Sequence, residues 1–173
     1  MRFLNELVQL AGGRTREQFF AIQAGPVLMA ALPGPQMPRG FTTKDSTART
    51  REVEVKTLGL PNPTSTVIYA VEKADRNKDA RILCGRGLTA DVIINHDSIS
   101  KHHASFEERG GSWYVCDLGS RNGTTLRDVK LGENEAHPLG DKAELSFGEC
   151  AFTFYAPAAL WKLLGQLRGT ASS

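Results

Sequence analysis

Residues 82–125 read ILCGRGLTADVIINHDSISKHHASFEERGGSWYVCDLGSRNGTT, and how they are parsed decides the fold. A helix needs apolar residues three and four apart over ten or more positions, and that spacing is absent. Short apolar or alternating runs bounded by turn formers predict strands near 80–84, 91–94, 103–108, 112–117 and 124–126. Gly110-Gly111 joins two of these runs, and Arg121-Asn122-Gly123 offers residues that tolerate positive φ. Three polar pieces punctuate the strands: ILCGRG at 82–87, SISKHHA at 98–104 and DLGSRNGTT at 117–125.

The same grammar extends outward. Further strands are predicted at 66–73, 129–131, 143–147 and 151–155, with a polar loop from Asp75 to Asp79. The expected class is mainly β, an antiparallel two-sheet β-sandwich over residues 64–156. Pro157 opens a C-terminal helix, 157–168, with Leu160, Leu163, Leu164 and Leu167 on one face, and 169–173 is expected to be a disordered tail. Prolines at 33, 35, 38, 61 and 63 among polar residues mark 33–63 as a linker, within which REVEVKTL at 51–58 fits an edge strand. Residues 1–32 read as an N-terminal helical segment. Leu4, Leu7, Val8 and Ala11 share a helical face over 3–11, ended by Gly12-Gly13, and Thr15 with Gln18 forms a capping box that starts a second helix. VLMAAL at 27–32 fits a strand or a buried helical turn equally well.

Composition narrows the function. A formal net charge of +2 over 173 residues gives no polyelectrolyte character, so no nucleic-acid or membrane partner is expected and any anion site must be local. The apolar run from Pro26 to Pro35 is too short to span a bilayer. Cys84, Cys116 and Cys150 lie in or beside apolar runs and read as reduced, buried thiols in a cytoplasmic protein.

The order Gly85-Arg86, Ser100-x-x-His103, Asn122-Gly123, with strands between, resembles the forkhead-associated (FHA) domain, the phosphothreonine-peptide-binding module. The resemblance covers about residues 64–156. It implies a sandwich whose end loops hold the peptide. A phosphothreonine carries a charge of about −1.5 to −2 and three acceptor oxygens, so its site needs donors and no nearby buried carboxylate. Arg86, with its permanently charged planar fork of donors, is the expected phosphate clamp, and Gly85 lets the backbone approach. Ser100 offers a hydroxyl and an amide, and Lys101 adds a mobile positive charge. The resemblance gives His103 a supporting role in the loop, and Ser120 and Arg121 a place in the phosphate pocket. Asn122 offers a donor and an acceptor to a peptide main chain, while Gly123 turns the chain. Arg127-Asp128 departs from the second Asn-Gly of many members and is expected to be a hairpin turn away from the phosphate.

Other chemistries find less support. Ser98 or Ser100 with His102 or His103 lacks an orienting third group for hydrolysis, and His96, His102, His103 and the cysteines lack metal-ligand spacing. The expected function is a phosphothreonine-binding signalling adaptor, not an enzyme, without cofactor or metal. Its partner would be a threonine-phosphorylated protein, a serine/threonine kinase or its substrate. The alternative is a phosphate-independent docking or oligomerisation module that uses the terminal helices. Thr42, Thr43, Thr47 and Thr50 in the linker would compete for the site if phosphorylated, since a short tether gives an effective concentration near millimolar.

Overall fold

The computed structural model describes residues 2–31, 61–74 and 81–170. Among them the strands are β1 (Arg2–Phe3), β2 (Val27–Ala31), β3 (Thr66–Ala70), β4 (Ile82–Gly85), β5 (Val92–Ile93), β6 (Ala104–Arg109), β7 (Ser112–Asp117), β8 (Thr124–Leu126), β9 (Val129–Lys130), β10 (Ala136–Leu139), β11 (Lys142–Phe147) and β12 (Cys150–Tyr155). The helices are α1 (Leu4–Ala11), α2 (Arg16–Phe20) and α3 (Pro157–Thr170).

The strands form two sheets, ordered β1-β3-β2-β12-β11-β8-β9 and β10-β7-β6-β4-β5. The mainly β two-sheet class holds, with one amendment. β4 and β5 run parallel through Cys84↔Val92 and Gly85↔Ile93, so the second sheet is mixed. The turns follow their residues. Gly110 and Gly111, both at positive φ, close the β6–β7 hairpin, and Arg127 and Asp128 at φ 50° and 66° close β8–β9 as a two-residue turn.

Alternation along the strands of the first sheet divides the apolar residues between two cores. Leu28, Phe152 and Phe154 point between the sheets, where they join Cys84, Phe106, Val115, Leu145 and Phe147. Phe106 and Phe154 stack at 6.1 Å between ring centroids. Val27, Met29, Ile68 and Tyr155 face the other way, into a second core completed by Leu4, Leu7 and Ala11 of α1, Phe19 of α2 and Leu160, Leu163, Leu164 and Leu167 of α3. At about 1.5–3 kcal/mol per large apolar side chain buried, this outer cluster is a substantial share of the folding free energy. Arg168 locks the two terminal helices together, donating from Nη1 to the Ala11 carbonyl at 2.7 Å.

Several expectations are corrected here. Residues 1–32 are not a helical segment apart from the sandwich: β2 is an interior strand between β3 and β12, and β1 pairs with β3. VLMAAL concealed this because a strand buried on both faces reads as a continuous apolar run without alternation. β10 escaped notice because Pro138 interrupts it, which an edge strand tolerates. Pro63 is already docked, its carbonyl accepting from the Asn5 amide at 3.0 Å, so the linker boundary at 63 falls too late. α3 continues to Thr170, beyond the expected end at 168. The capping box forms: the Gln18 amide donates to Thr15 Oγ1, and the Thr15 amide to Gln18 Oε1. All three thiols are free, but only Cys84 is fully buried. The linker threonines, the strand expected at 51–58 and the loop at 75–79 lie outside the described residues.

Candidate functional site

Topology brings the three polar pieces to one end of the sandwich. β4 and β6 are antiparallel neighbours, so the residues after Gly85 and those before Ala104 emerge together. β6 and β7 are antiparallel with Ala104 opposite Asp117, which delivers the turn at 118–123 to the same end. The Arg86 amide donates to the Ser100 carbonyl at 2.9 Å and the Gly87 amide to the Lys101 carbonyl at 3.0 Å. This approach requires glycine at 85, because a Cβ there would collide with the Lys101 carbonyl and lie 2.8 Å from the Ser100 oxygen.

His103 is wholly buried and ties the loops from below. Its Nδ1 accepts from the Ser100 amide at 3.1 Å, which leaves the ring proton on Nε2 to donate to the Gly123 carbonyl at 3.1 Å. Burial lowers its pKa, outweighing the opposing effects of the Gly123 hydrogen bond and the Asp117 charge, so the ring stays neutral.

A second buried hub went unread in the sequence, and it corrects the expectation that no buried carboxylate stands near the site. Asp117 accepts from the Gly119 and Ser120 amides, each at 2.9 Å, from Ser120 Oγ at 2.7 Å and from Thr124 Oγ1 at 2.6 Å. Burial works to raise its pKa, but the bonds from Thr124 and Ser120 prevail and hold it below the usual carboxylate value. The available signal was an aspartate two and three residues ahead of Gly119 and Ser120, the spacing of a side chain that caps its own turn. In the turn itself the positive φ values fall at Gly119 and Gly123, and not at Arg121 or Asn122.

With these bonds assigned, the groups left to meet a ligand can be named. Arg86 is exposed; its Nε donates to the Ile99 carbonyl at 3.1 Å, which fixes the guanidinium, and among the described residues its terminal nitrogens have no partner. Lys101 and Arg121 are exposed, and among the described residues neither they nor Arg86 form an ion pair. The Ser100 amide is consumed by His103, so only its hydroxyl remains from the expected pair of donors; that oxygen also accepts from the Arg121 amide at 3.0 Å. Ser120 is spent on the framework, since its hydroxyl donates to Asp117 and accepts from the Gly123 amide at 2.9 Å. Asn122 Nδ2 donates to the Ser98 carbonyl at 2.7 Å, leaving its second amide hydrogen and its carbonyl for a main chain. The structure thus gathers Gly85, Arg86, Ser100, Lys101, His103, Ser120, Arg121, Asn122 and Gly123 at one end, and separates bracing residues from outward donors.

The rival chemistries find no such assembly. His102 meets Thr89 instead of a serine, at 2.9 Å. Ser98 Oγ meets His96 Nδ1 at 2.9 Å, but that ring has no orienting carboxylate among the described residues. No cluster of three or more metal-ligating side chains occurs among those residues, and no helix there is long and apolar enough to cross a membrane.

The family model for the FHA domain matches residues 82–148. The FHA domain-containing protein FhaB of Mycobacterium tuberculosis is 39% identical over 59 residues, which cover 34% of this chain and 38% of that protein. The glycogen accumulation regulator GarA of Mycolicibacterium smegmatis is 26% identical over 103 residues, covering 56% of this chain and 61% of that one. The chain therefore spans less than two thirds of the length of these relatives. Among solved structures, the N-terminal FHA domain of Rad53p from S. cerevisiae, in complex with a phosphothreonine peptide, is 18% identical with a TM-score of 0.45, covering 56% of this chain and 89% of that one.

Proposed function

Because the chain carries a forkhead-associated domain, we propose that it binds a threonine-phosphorylated segment of a partner protein through the loop end built on Arg86, Ser100 and Asn122. The observation that carries this reading is the cationic group Arg86, Lys101 and Arg121. It has no carboxylate partner among the described residues, and Arg86 is held in place by the Ile99 carbonyl. Surface arginines without a role are free to pair or to wave in solvent; one pinned at Nε with its fork facing outward is arranged for an anion. In this reading Arg86 takes two phosphate oxygens, the Ser100 hydroxyl donates to the third, and Lys101 and Arg121 add charge. Asn122 holds the peptide main chain. His103, Ser120 and Asp117 fix the loops without touching the ligand.

A regulatory role is in keeping with the likeness to GarA, a glycogen accumulation regulator, and the partner proposed here is a serine/threonine kinase or one of its substrates. The chain acts as an adaptor and performs no chemistry on the bound segment. The alternative of a docking or oligomerisation module loses the leucine face of α3 as its surface, because Leu160, Leu163, Leu164 and Leu167 are buried in the cluster shared with α1 and the sheet. The test is fluorescence anisotropy with a degenerate phosphothreonine peptide library and its unphosphorylated counterpart. Phosphate-dependent binding that Arg86→Ala abolishes is expected; equal affinity for both libraries overturns the reading.

A further inference from the structure

Asn122 follows the cationic Arg121 in the chain and also lines a cleft formed with Asn95, His96, Asp97, Ser98 and Glu149, and none of Arg86, Lys101 and Arg121 contributes to that cleft's wall. Asp97 and Glu149 are exposed, and among the described residues neither carboxylate has a hydrogen bond or an ion pair.

The cleft is held together by one buried residue. Ser98 Oγ bonds His96 Nδ1 at 2.9 Å and accepts from the Glu149 amide at 3.1 Å, while the Ser98 carbonyl accepts from Asn122 Nδ2 at 2.7 Å. The wall carrying Glu149 is therefore fixed relative to Asn122, the residue that grips the peptide. Gly148 serves the same close approach: a Cβ there would lie 2.6 Å from the Ser98 carbonyl oxygen.

We propose that Asp97 and Glu149 select the bound segment, favouring a lysine or arginine a few residues from the phosphothreonine. The inference rests on the binding role proposed above and names the class of sequence that role requires. An extended peptide advances about 3.3 Å per residue, so a segment held by its phosphate at Arg86 and by its main chain at Asn122 runs on within a few residues to the cleft. There a cation meets two unpaired carboxylates, whereas an acidic side chain meets like charge. The segment bound is thus dipolar, with phosphate on the cationic side and a basic residue on the acidic side.

The test uses the full chain and a set of phosphothreonine peptides with alanine flanks, in which lysine or glutamate replaces alanine at each position from four before to four after the phosphothreonine. Affinities are measured by anisotropy at low and high salt. Lysine is expected to bind about five- to tenfold more tightly than glutamate at one or two neighbouring positions, with the ratio shrinking as salt is raised. The preference should vanish in Asp97→Asn/Glu149→Gln and reverse in Asp97→Lys/Glu149→Lys, with melting temperatures confirming that each variant is folded. Phosphate-dependent binding with no position favouring lysine overturns this inference alone. A lysine preference that survives both variants also overturns it. If no phosphopeptide binds, the underlying role fails and this inference falls with it.

Discussion

The helix-covered face of the seven-stranded sheet and the loop end of the sandwich are built on opposite rules. On the covered face, α1, α2 and α3 saturate their contacts: Leu4, Ala11, Phe19, Leu160 and Leu164 are wholly buried, and the Arg168 guanidinium is spent on the Ala11 carbonyl. At the loop end cohesion comes from hydrogen bonds to two buried hubs, His103 and Asp117, while the outermost cations have no counter-ion among the described residues. One region is finished within the chain. The other holds its cations in place and leaves them facing solvent without a counter-ion among the described residues, which is the property expected of a surface meant for an anionic ligand.

If that contrast is right, damage to each region should be read by a different measurement. The largest effect is expected from Leu164→Ala. Emptying a fully buried leucine site should cost about 2–5 kcal/mol of unfolding free energy in denaturant titration, with phosphopeptide affinity unchanged at low temperature where the variant stays folded. Loss of affinity without loss of stability would show that the helical face takes part in binding.

Arg86→Ala should do the reverse. Removing charge-assisted bonds worth roughly 1.5–3 kcal/mol should weaken phosphopeptide binding about ten- to a hundredfold or more, with the melting temperature unmoved. A stability change of similar size would mean that the guanidinium braces the Ile99 loop and does no more.

His103→Ala sits between the regions, because it is core by burial and loop by bonding. It should lose about 1–3 kcal/mol of stability, and a stable variant with selectively lost phosphate affinity would make it a ligand contact. Its lowered pKa adds a signature in pH. Since the unfolded state binds the proton more readily, stability should fall as pH drops below the ordinary histidine value of 6.5 and keep falling until the folded-state pKa is passed. His103→Gln should flatten that part of the profile. Asp117, with its pKa held down in the fold, contributes stability that is complete above the ordinary value of 3.8 and lost as pH falls through the lower folded value. Asp117→Asn should remove this more acidic step, and its persistence would deny Asp117 its place as a hub.

The smallest effect concerns the ligand. Phosphothreonine should exceed phosphoserine by several-fold, since one buried methyl contributes on the order of 0.8 kcal/mol. Equal affinities for matched peptides would show that the loop end grips only phosphate and main chain.

The contrast also separates what could be read from the sequence. Strands β6, β7 and β8 were legible because each alternates or is bounded by turn formers, and the capping box at Thr15 and Gln18 was legible because its partners lie three residues apart. That Arg86, Ser100 and Asn122 would come together at one end was legible because each sits beside a strand end in a recognisable order. Local chemistry fixes such features, and local chemistry is what a sequence displays.

The rest depended on residues far apart in the chain. That β2 lies inside the sheet, that α1 and α3 cover it, and that the Ser98 carbonyl takes one of the Asn122 amide hydrogens are all matters of long-range pairing. The assignment of donors combined a local bond with a distant one, since His103 meets Ser100 three residues away and Gly123 twenty residues away. The Ser100 amide could be offered to a phosphate until the buried Nδ1 of His103 claimed it, because a buried polar atom must find a partner and the nearest geometry wins. The order of residues along the chain set these groups at strand ends; the bonds they make to His103, Asp117 and Ser98 in the folded protein settled which of their atoms remain free to bind.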